Sequence, residues 1–207
     1  PAVYERVERD GRPGLVIERL EGTDLLTLVG RRPWRVGSVA RRCGTLHAEL
    51  HRVAGPAELP PLADRVREML GSDAVPPALR EEAAVALEKL PAGDRLCHGD
   101  FHPGNVVGER VIDWGKAARG DPVADVARTW VVLEFSPLPP GSSAVDRRLA
   151  AAGRGLLLRG YLNAYRRAAE LDPPRFARWL RVRAVERLAQ EIEGEREPIL
   201  ARLVSER

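Results

Sequence analysis

The sequence predicts an α+β fold that is predominantly helical, with one small β element followed by a helical body. Three observations predict this fold class. Strand-like residues flank an Asp-Gly pair near the start of the chain, which is typical of a β-hairpin. Apolar residues then recur at helical spacing through most of the remaining chain. One Gly- and Pro-rich segment, residues 95–114, interrupts that spacing, and irregular backbone of this kind often carries functional residues.

The first predicted element is a β-hairpin within residues 2–20. Val3 to Arg9 is predicted as its first strand, and Asp10-Gly11 as its turn. Leu15 to Ile17 is an apolar run, and we expect it to form a buried second strand.

The helical body begins after Gly22-Thr23-Asp24, and apolar spacing and proline positions delimit its helices. The predicted helices cover residues 36–53, 62–70, 77–90, 123–135, 144–171, 174–192 and a short stretch after Pro198. Short strands are predicted between them at Leu96-Cys97, Val106-Val107 and Val111-Ile112. The sequence contains no internal repeat and no low-complexity tract.

Composition indicates one ordinary domain, or one lobe with a helical extension, and excludes several classes of protein. The 207 residues are 44% hydrophobic and 30% charged, which is too apolar for a disordered chain. No apolar run approaches the roughly 20 residues that a bilayer requires, and the first residues lack a signal-peptide core. Cys43 and Cys97 are too few for a disulfide framework. We therefore expect a cytoplasmic protein without a membrane partner.

The charge pattern does not favour nucleic-acid binding. The chain has 33 basic and 30 acidic residues, and only Lys89 and Lys116 among the basic ones are lysines. Acidic and basic residues alternate along the predicted helices, as in REEAAVALEKL. This alternation is typical of solvent-exposed helix faces and not of a concentrated basic stripe. We therefore expect no nucleic-acid partner.

Residues 98–125 carry the chemistry-bearing side chains, with four aspartates, two histidines and an asparagine. Asp100 and Asn105 are five residues apart on a Gly/Pro-rich loop, so both polar ends can face one cleft. Asp113 ends an apolar strand, which places its carboxylate at the mouth of a core. In phosphoryl transfer one carboxylate accepts the proton of a hydroxyl, while an amide oxygen and a second carboxylate hold Mg²⁺. Magnesium prefers oxygen ligands, which favours Asn105 with Asp113.

The motifs HGDFHPGN, VIDW and GDPVADVART resemble those of the aminoglycoside phosphotransferase and choline kinase-like family, which has a protein-kinase-like fold. The resemblance implies a residual small-lobe hairpin and hinge over residues 1–21 and a helical large lobe over residues 22–207. It places the catalytic loop at residues 98–105 and the metal-binding strand end at 111–114. It also implies an ATP- and Mg²⁺-dependent transfer of the γ-phosphoryl group to a hydroxyl of an aminoglycoside-like or amino-alcohol-like small molecule.

The resemblance also implies a role for each motif residue. Asp100 would be the catalytic base, and Asn105 and Asp113 would bind Mg²⁺. His98 would shape the catalytic loop. Asp125, on the following helix, would hold the backbone of that loop through hydrogen bonds.

The segment LVIERLEG is similar to the last small-lobe strand and hinge of the family. Glu18, Arg19 and Leu20 would then form the hinge, with the backbone of Glu18 and Leu20 meeting the adenine of ATP. Val107 and Ile112 would pack beneath the adenine.

The sequence also departs from the family pattern at its start. The family's small lobe supplies a Gly-rich phosphate loop, a lysine for the α- and β-phosphates, and a glutamate that positions this lysine. None of these three features precedes the predicted hairpin. Neither Lys89 nor Lys116 can replace the family's small-lobe lysine, because neither can occupy the small-lobe strand that carries it. We therefore expect an N-terminally truncated form with weakened nucleotide affinity. A non-catalytic, pseudokinase-like binding module is the alternative.

A metal-dependent phosphoesterase is a less favoured alternative, because such a site needs more histidines than His47, His51, His98 and His102. His47 and His51 are four residues apart on a predicted helix, but the order H-A-E-L-H is not that of a zinc helix, so structural roles are favoured.

The sequence does not identify the molecule that accepts the phosphoryl group. The acidic residues of the late helices, Glu134, Glu186, Glu191 and Glu193, could receive an amine-bearing substrate. Pairing of these glutamates with neighbouring arginines is the favoured interpretation. The choice between ATP and GTP and the oligomeric state are also open.

Overall fold

The computed structural model describes residues 1–138 and 141–205 and confirms the predominantly helical α+β class. Its helices are α1 (Leu25–Arg31), α2 (Val36–Leu50), α3 (Leu62–Leu70), α4 (Pro77–Glu88), α5 (Pro122–Phe135), α6 (Ala144–Ala168), α7 (Pro173–Leu188) and α8 (Arg196–Ser205). Its strands are β1 (Val3–Arg9), β2 (Arg12–Ile17), β3 (Arg95–Cys97), β4 (Val106–Val107), β5 (Arg110–Val111) and β6 (Ala118–Gly120). Over the described ranges, no helix combines the length and the apolar character needed to cross a bilayer.

The N-terminal hairpin forms as predicted, but its second strand is not buried. Asp10 and Gly11 have φ values of 53° and 72°, and two positive φ angles are typical of the turn that matches the twist of paired strands. The expected burial of Leu15 to Ile17 is wrong, because these side chains are 42–58% exposed. The two strands pair with each other and form a two-stranded sheet of their own, while the main packing is between the helices of the body.

Among the described helices, the most extensive packing joins α2 and α6. A Cβ atom on Gly44 would lie only 2.4 Å from the Tyr161 carbonyl oxygen and 2.7 Å from the Ala164 Cβ, so the two backbones nearly touch at this position. On α6, a Cβ atom on Gly160 would lie 2.7 Å from the Ala40 Cβ. This close approach holds one face of α6 directly over α2.

Replacing Gly44 by Ala is expected to destabilise the protein by about 1–3 kcal/mol, because the added methyl group overpacks the α2–α6 contact. Urea unfolding monitored by circular dichroism measures the change. Gly153→Ala on α6 is the matched control, since nothing lies within 4 Å of the added Cβ. The control should gain up to about 1 kcal/mol of helix propensity. Equal stability of the two variants would contradict the close packing.

Helix α5 crosses the centre of the body and packs against α7. Asp121 is its N-cap residue and accepts a hydrogen bond from the Val123 N–H at 3.0 Å, and Pro122 occupies the first turn. The other carboxylate oxygen of Asp121 accepts a hydrogen bond from the Trp179 indole N–H at 2.7 Å. Because α5 is surrounded by other elements, its polar residues Asp125 and Arg128 are buried.

Two short antiparallel sheets build the irregular segment between α4 and α5. β4 pairs with β5, and β3 pairs with β6, a strand that the sequence did not predict. Gly99 has a φ of 81°, and a Cβ atom there would lie 2.2 Å from the Lys116 carbonyl oxygen. Only glycine fits so close an approach. The loop that follows β3 therefore lies directly against the turn that precedes β6.

Candidate active site

Buried side chains of helix α5 hold the backbone of the loop of residues 98–105 through hydrogen bonds. The Asp125 carboxylate is fully buried and accepts hydrogen bonds from the backbone N–H groups of His98 at 2.6 Å and Gly99 at 2.9 Å. The Thr129 hydroxyl, one turn further along α5, donates to the Phe101 carbonyl at 2.8 Å. Asp125 therefore lies where it can hold the loop backbone, and Thr129 is a second anchor that the sequence analysis missed.

Two histidines of α2 reach the same Asp125 carboxylate. Nε2 of His47 lies 3.1 Å from Asp125 Oδ2, and Nε2 of His51 lies 3.3 Å from it. Their Nδ1 atoms lie 2.7 Å from the Tyr161 hydroxyl and 2.8 Å from the Tyr165 hydroxyl, respectively. A carboxylate only accepts hydrogen bonds, so each Nε2 donates to Asp125 and each Nδ1 accepts from a tyrosine. We call these five side chains the anchor network.

Burial and hydrogen bonding together set the protonation states of His47 and Asp125. Burial and the neighbouring His51 lower the pKa of His47 to about 3, so this ring is neutral at pH 7. Burial raises the pKa of Asp125, but hydrogen bonds from His47 and His51 outweigh it and hold the pKa well below its ordinary value. The network therefore contains an ionised carboxylate, with the neutral His47 ring among its hydrogen-bond donors.

The anchor network also contains ligand atoms that could surround a metal ion, since one atom each of His47, His51 and Asp125 lie within 4.8 Å of one another. All four ring nitrogens, however, already have partners in Asp125 or in the two tyrosines. We therefore assign the three residues to loop anchoring, in agreement with the structural role expected for the two histidines.

His98 and Asn105 connect the loop of residues 98–105 to the β4–β5 hairpin. The buried ring of His98 lies with Nε2 2.9 Å from the Ile112 carbonyl, while its Nδ1 accepts from the Asp100 N–H at 3.2 Å. The Asn105 side-chain amide donates to the Asp100 carbonyl at 2.9 Å, and the Ile112 N–H donates to the Asn105 carbonyl at 3.0 Å. These bonds bring Asp113, the next residue along the chain, to the side of Asn105.

Asn105 and Asp113 offer the oxygen atoms that a magnesium ion prefers. Because Asn105 donates through Nδ2, its Oδ1 points the other way and keeps its capacity as a ligand. Asp113 has an exposed side chain and a left-handed backbone, with φ 62° and ψ 64°. A non-glycine residue rarely adopts this conformation, and such strain is frequent at ligand-binding positions. The donor set of one amide oxygen and one carboxylate fits Mg²⁺.

Asp100 is held between two cations that the sequence analysis missed. The Lys116 ammonium donates to Oδ2 at 2.7 Å, and a guanidinium nitrogen of Arg128 lies 3.8 Å from Oδ1. Burial raises the pKa of Asp100, but the hydrogen bond from Lys116 and the charge of Arg128 outweigh it, and the net effect is a lowered pKa. The carboxylate is therefore ionised at neutral pH and able to accept a hydrogen bond from a substrate hydroxyl.

The three predicted hinge residues follow the hairpin directly. The Glu18 N–H donates to the Ala2 carbonyl at 2.8 Å, and the Glu18 carboxylate accepts from the Ala2 N–H at 2.9 Å. Arg19 is exposed and forms an ion pair with Glu21 at 3.5 Å. Leu20 is half-buried, and its N–H donates no hydrogen bond within the described part of the chain.

Val107 and Ile112 lie on the β4–β5 hairpin and its continuation, next to the hinge. Asp24 and Val107 form an isolated antiparallel bridge, and a Cβ atom on Gly22 would lie 3.8 Å from a Val107 methyl group. Val107 and Ile112 are both half-buried. The structure thus brings Val107 beside the end of the hinge.

Comparisons with known proteins identify the family and the fold of the chain. The family model of APH, the phosphotransferase enzyme family, matches residues 1–171. Among curated proteins no sequence matches. A solved structure of amicoumacin kinase hAmiN in complex with AMP-PNP, Ca²⁺ and Ami is similar, with a TM-score of 0.64 and 18% sequence identity. The alignment covers 99% of this chain and 67% of that chain. This likeness shows that the fold is kinase-like, with a partial small lobe.

Proposed function

Since the chain belongs to the phosphotransferase enzyme family, we propose that it transfers the γ-phosphoryl group of ATP to a hydroxyl of a small molecule, with Mg²⁺ as the metal ion. One observation carries the proposal. An ionised Asp100 lies on the same short loop as Asn105, whose backbone pairing brings Asp113 alongside. This arrangement supplies a proton acceptor next to two oxygen ligands for a metal ion.

Asp100 acts on the acceptor hydroxyl. Its carboxylate accepts a hydrogen bond from the hydroxyl, which orients the oxygen toward the γ-phosphorus. As the new O–P bond forms, the bond from phosphorus to the β,γ-bridging oxygen breaks and ADP leaves. The hydroxyl proton passes to Asp100 and then to solvent.

Asn105 and Asp113 would hold the metal ion, which when bound neutralises charge on the phosphates. His98 and Asp125 position the loop and do not touch the substrate. His98 fixes the Asp100 N–H, and Asp125 fixes the start of the loop. Their loss would therefore act through the placement of Asp100.

The hinge is proposed to bind the adenine through backbone groups. The Glu18 N–H already has a partner in the hairpin, so its carbonyl and the Leu20 N–H are the groups offered to the base. The Arg19 side chain, between them, faces solvent, while Val107 and Ile112 would lie beneath the ring. The AMP-PNP and Ca²⁺ in the amicoumacin kinase complex support the use of a nucleotide and a divalent cation.

Asp113→Asn is expected to weaken Mg²⁺-dependent nucleotide binding by about tenfold or more, since even groups that only support a metal ligand contribute roughly 10- to 100-fold. Calorimetric titration with AMP-PNP, in Mg²⁺ and in EDTA, measures this. Asp94→Asn is the matched control, because the Asp94 side chain is 74% exposed and belongs to another part of the surface. Its affinity should equal that of the wild type.

The wild-type chain is then incubated with γ-labelled ATP and a panel of hydroxyl compounds. If the chain transfers the phosphoryl group, at least one of these compounds should become labelled. Failure to bind Mg²⁺ and nucleotide, with a cooperative thermal melt intact, would instead support a non-catalytic binding module. Phosphate release from phosphoesters with Mn²⁺ and no nucleotide would support a phosphoesterase. An aminoglycoside-like or amino-alcohol acceptor, which the resemblance implies, stays a prediction.

A further inference from the structure

A cavity of about 660 Å³ lies between the loop of residues 98–105, α3 and α7. Gly99 and Lys116 line its loop side, and Lys116 is the residue whose ammonium group contacts Asp100. Arg128 of α5 lines it as well and lies 3.8 Å from the other oxygen of Asp100. A molecule in this cavity would therefore lie next to the two cations that flank Asp100. We call this space the acceptor cavity.

The acceptor cavity is positively charged. Among the described residues, its lining includes four cations and two carboxylates. The cations are Arg65, Lys116, Arg128 and Arg183, and the carboxylates are Glu68 and Glu186. Such an excess of cations favours an anionic ligand and disfavours a polycationic one.

Arg128 has hydrogen-bonding capacity that the described residues do not use. The side chain is 1% exposed, yet none of its three nitrogens forms a hydrogen bond within the described chain. The nearest carboxylate oxygens, of Asp100 and Glu186, lie at 3.8 and 3.9 Å, beyond hydrogen-bond distance. A buried guanidinium without acceptors is costly, and a bound ligand that supplies acceptors would satisfy it.

Lys116, Arg183 and Glu186 of the cavity already have partners, and Lys116 donates to Asp100. Arg183 donates to Glu186 at 2.8 Å and to the Ala124 carbonyl at 3.1 Å. Glu186 is therefore engaged by Arg183, as the sequence pattern predicted for this glutamate. An amine-bearing acceptor would have to compete with Arg183 for Glu186 and would lie next to Arg128. An anionic acceptor would not have to displace an existing partner, because the Arg128 guanidinium offers donors that no described residue uses.

We propose that the phosphoryl acceptor carries an anionic group, a carboxylate or a phosphate, which the Arg128 guanidinium binds while the acceptor hydroxyl lies at Asp100. This inference rests on the proposed function. A planar guanidinium binds either group in bidentate fashion, which orients the molecule as well as holding it. Since Arg128 and Asp100 are only 3.8 Å apart, the hydroxyl and the anionic group must be close together, as in a small hydroxy acid.

Four three-carbon probes test the proposal with the full chain in the absence of nucleotide. Glycerate carries a carboxylate, glycerol 3-phosphate a phosphate, glyceramide no charge and serinol an amine. By calorimetric titration, at least one of the two anions is expected to bind about tenfold or more tightly than glyceramide and serinol. Comparison of the two anions decides between a carboxylate and a phosphate.

Arg128→Gln is expected to weaken binding of the preferred anion by about tenfold or more, and Arg128→Lys, which keeps the charge without the planar fork, by an intermediate factor. Arg67→Gln is the matched control: Arg67 lies on α3 with a side chain that is 59% exposed, and it does not line the cavity. It carries the same change in net charge and should bind the anion as the wild type does.

A thermal melt by circular dichroism establishes that each variant is folded. If Arg128→Gln does not fold, Arg65→Gln, at a half-buried position of the cavity wall, replaces it, with an expected weakening of about threefold. Tighter binding of serinol than of both anions, no binding of either anion, or anion binding that no cavity variant changes would each overturn the proposal.

Labelling with γ-labelled ATP separates this proposal from the proposed function. Phosphoryl transfer to amine-bearing acceptors alone would overturn the anionic acceptor and leave the phosphotransferase function standing. Anion binding that depends on Arg128, without transfer to any acceptor, would overturn the phosphotransferase function and leave the anion site standing.

Discussion

Asp100→Asn is expected to reduce phosphoryl transfer by about 10²- to 10⁴-fold, which is the usual contribution of a general base. Asparagine keeps the shape of the side chain and can still accept the hydrogen bond from Lys116, but it cannot take up the hydroxyl proton. The measurement is kcat, from ADP release with the best acceptor at saturating ATP and Mg²⁺. The loss should appear in kcat far more than in the affinity for nucleotide, because Asp100 is not one of the proposed metal ligands.

The Asp100→Asn variant should remain folded. The Lys116 side chain is 49% exposed, so its ion pair with Asp100 contributes little to stability. Asp94→Asn again serves as the control for removing one negative charge. A kcat unchanged from the wild type would remove Asp100 from the role of base, and an equal fall in the control would show that the effect is one of overall charge.

Asp125→Ala is expected to destabilise the protein by about 3–5 kcal/mol, the range found when one partner of a buried charged network is removed. The substitution leaves two backbone N–H groups of the catalytic loop and the Nε2–H groups of His47 and His51 without their acceptor. Urea unfolding at pH 7 measures the loss. Asp172→Ala, at the N-cap of α7, is the control, because a cap contributes only about 1 kcal/mol.

Acid unfolding gives a second readout of the same network. His47 has a pKa of about 3 in the folded protein and an ordinary value of 6.5, so the unfolded chain binds a proton first and stability falls as the pH drops below about 6.5. The pKa of Asp125 is below its ordinary value of 3.8, so its contribution is complete above that pH and is lost as the pH falls further. Asp125→Ala, which lacks this carboxylate, should lose less stability below pH 4 than the wild type does. Similar stability of Asp125→Ala and wild type at pH 7 would contradict the anchor network.

The sequence predicts the helices well because their signals are local. Apolar spacing and flanking prolines place α2, α3, α4, α5 and α7 within a few residues of their observed ends. The burial of Leu15 to Ile17 could not be judged in this way, since it depends on whether another layer packs on the hairpin. β6 was missed because a three-residue strand with little apolar character has no pattern of its own and exists through its pairing with β3.

Within the candidate site, too, the residues that depend on local sequence could be predicted and those that depend on long-range contacts could not. Asp100, Asn105 and Asp113 lie close together in sequence, and their arrangement follows from one loop and one hairpin. Hydrogen bonds between α2 and α6 join residues that are 114 positions apart, as in His47 with Tyr161. Because local sequence patterns span only a few residues, they cannot predict such a pair. Arg128 was within reach of sequence reasoning, since it lies three residues after Asp125 on the same helix. In sequence it resembles any of the many helix arginines, and only its burial makes it distinctive.

Helix α5 both holds the loop of residues 98–105 and lines the acceptor cavity, through Asp125 and Arg128 respectively. α2, α5 and α6 contribute the anchor network behind the loop, while α3 and α7 supply most of the opposite wall of the cavity. Arg65 and Glu68 of α3 belong to the cavity wall and not to the anchor network, whereas Trp179 and Arg183 of α7 bond to Asp121 and to the Ala124 carbonyl of α5. We therefore expect substitutions at these two α3 positions to alter the cavity wall while the hydrogen bonds of the anchor network stay in place.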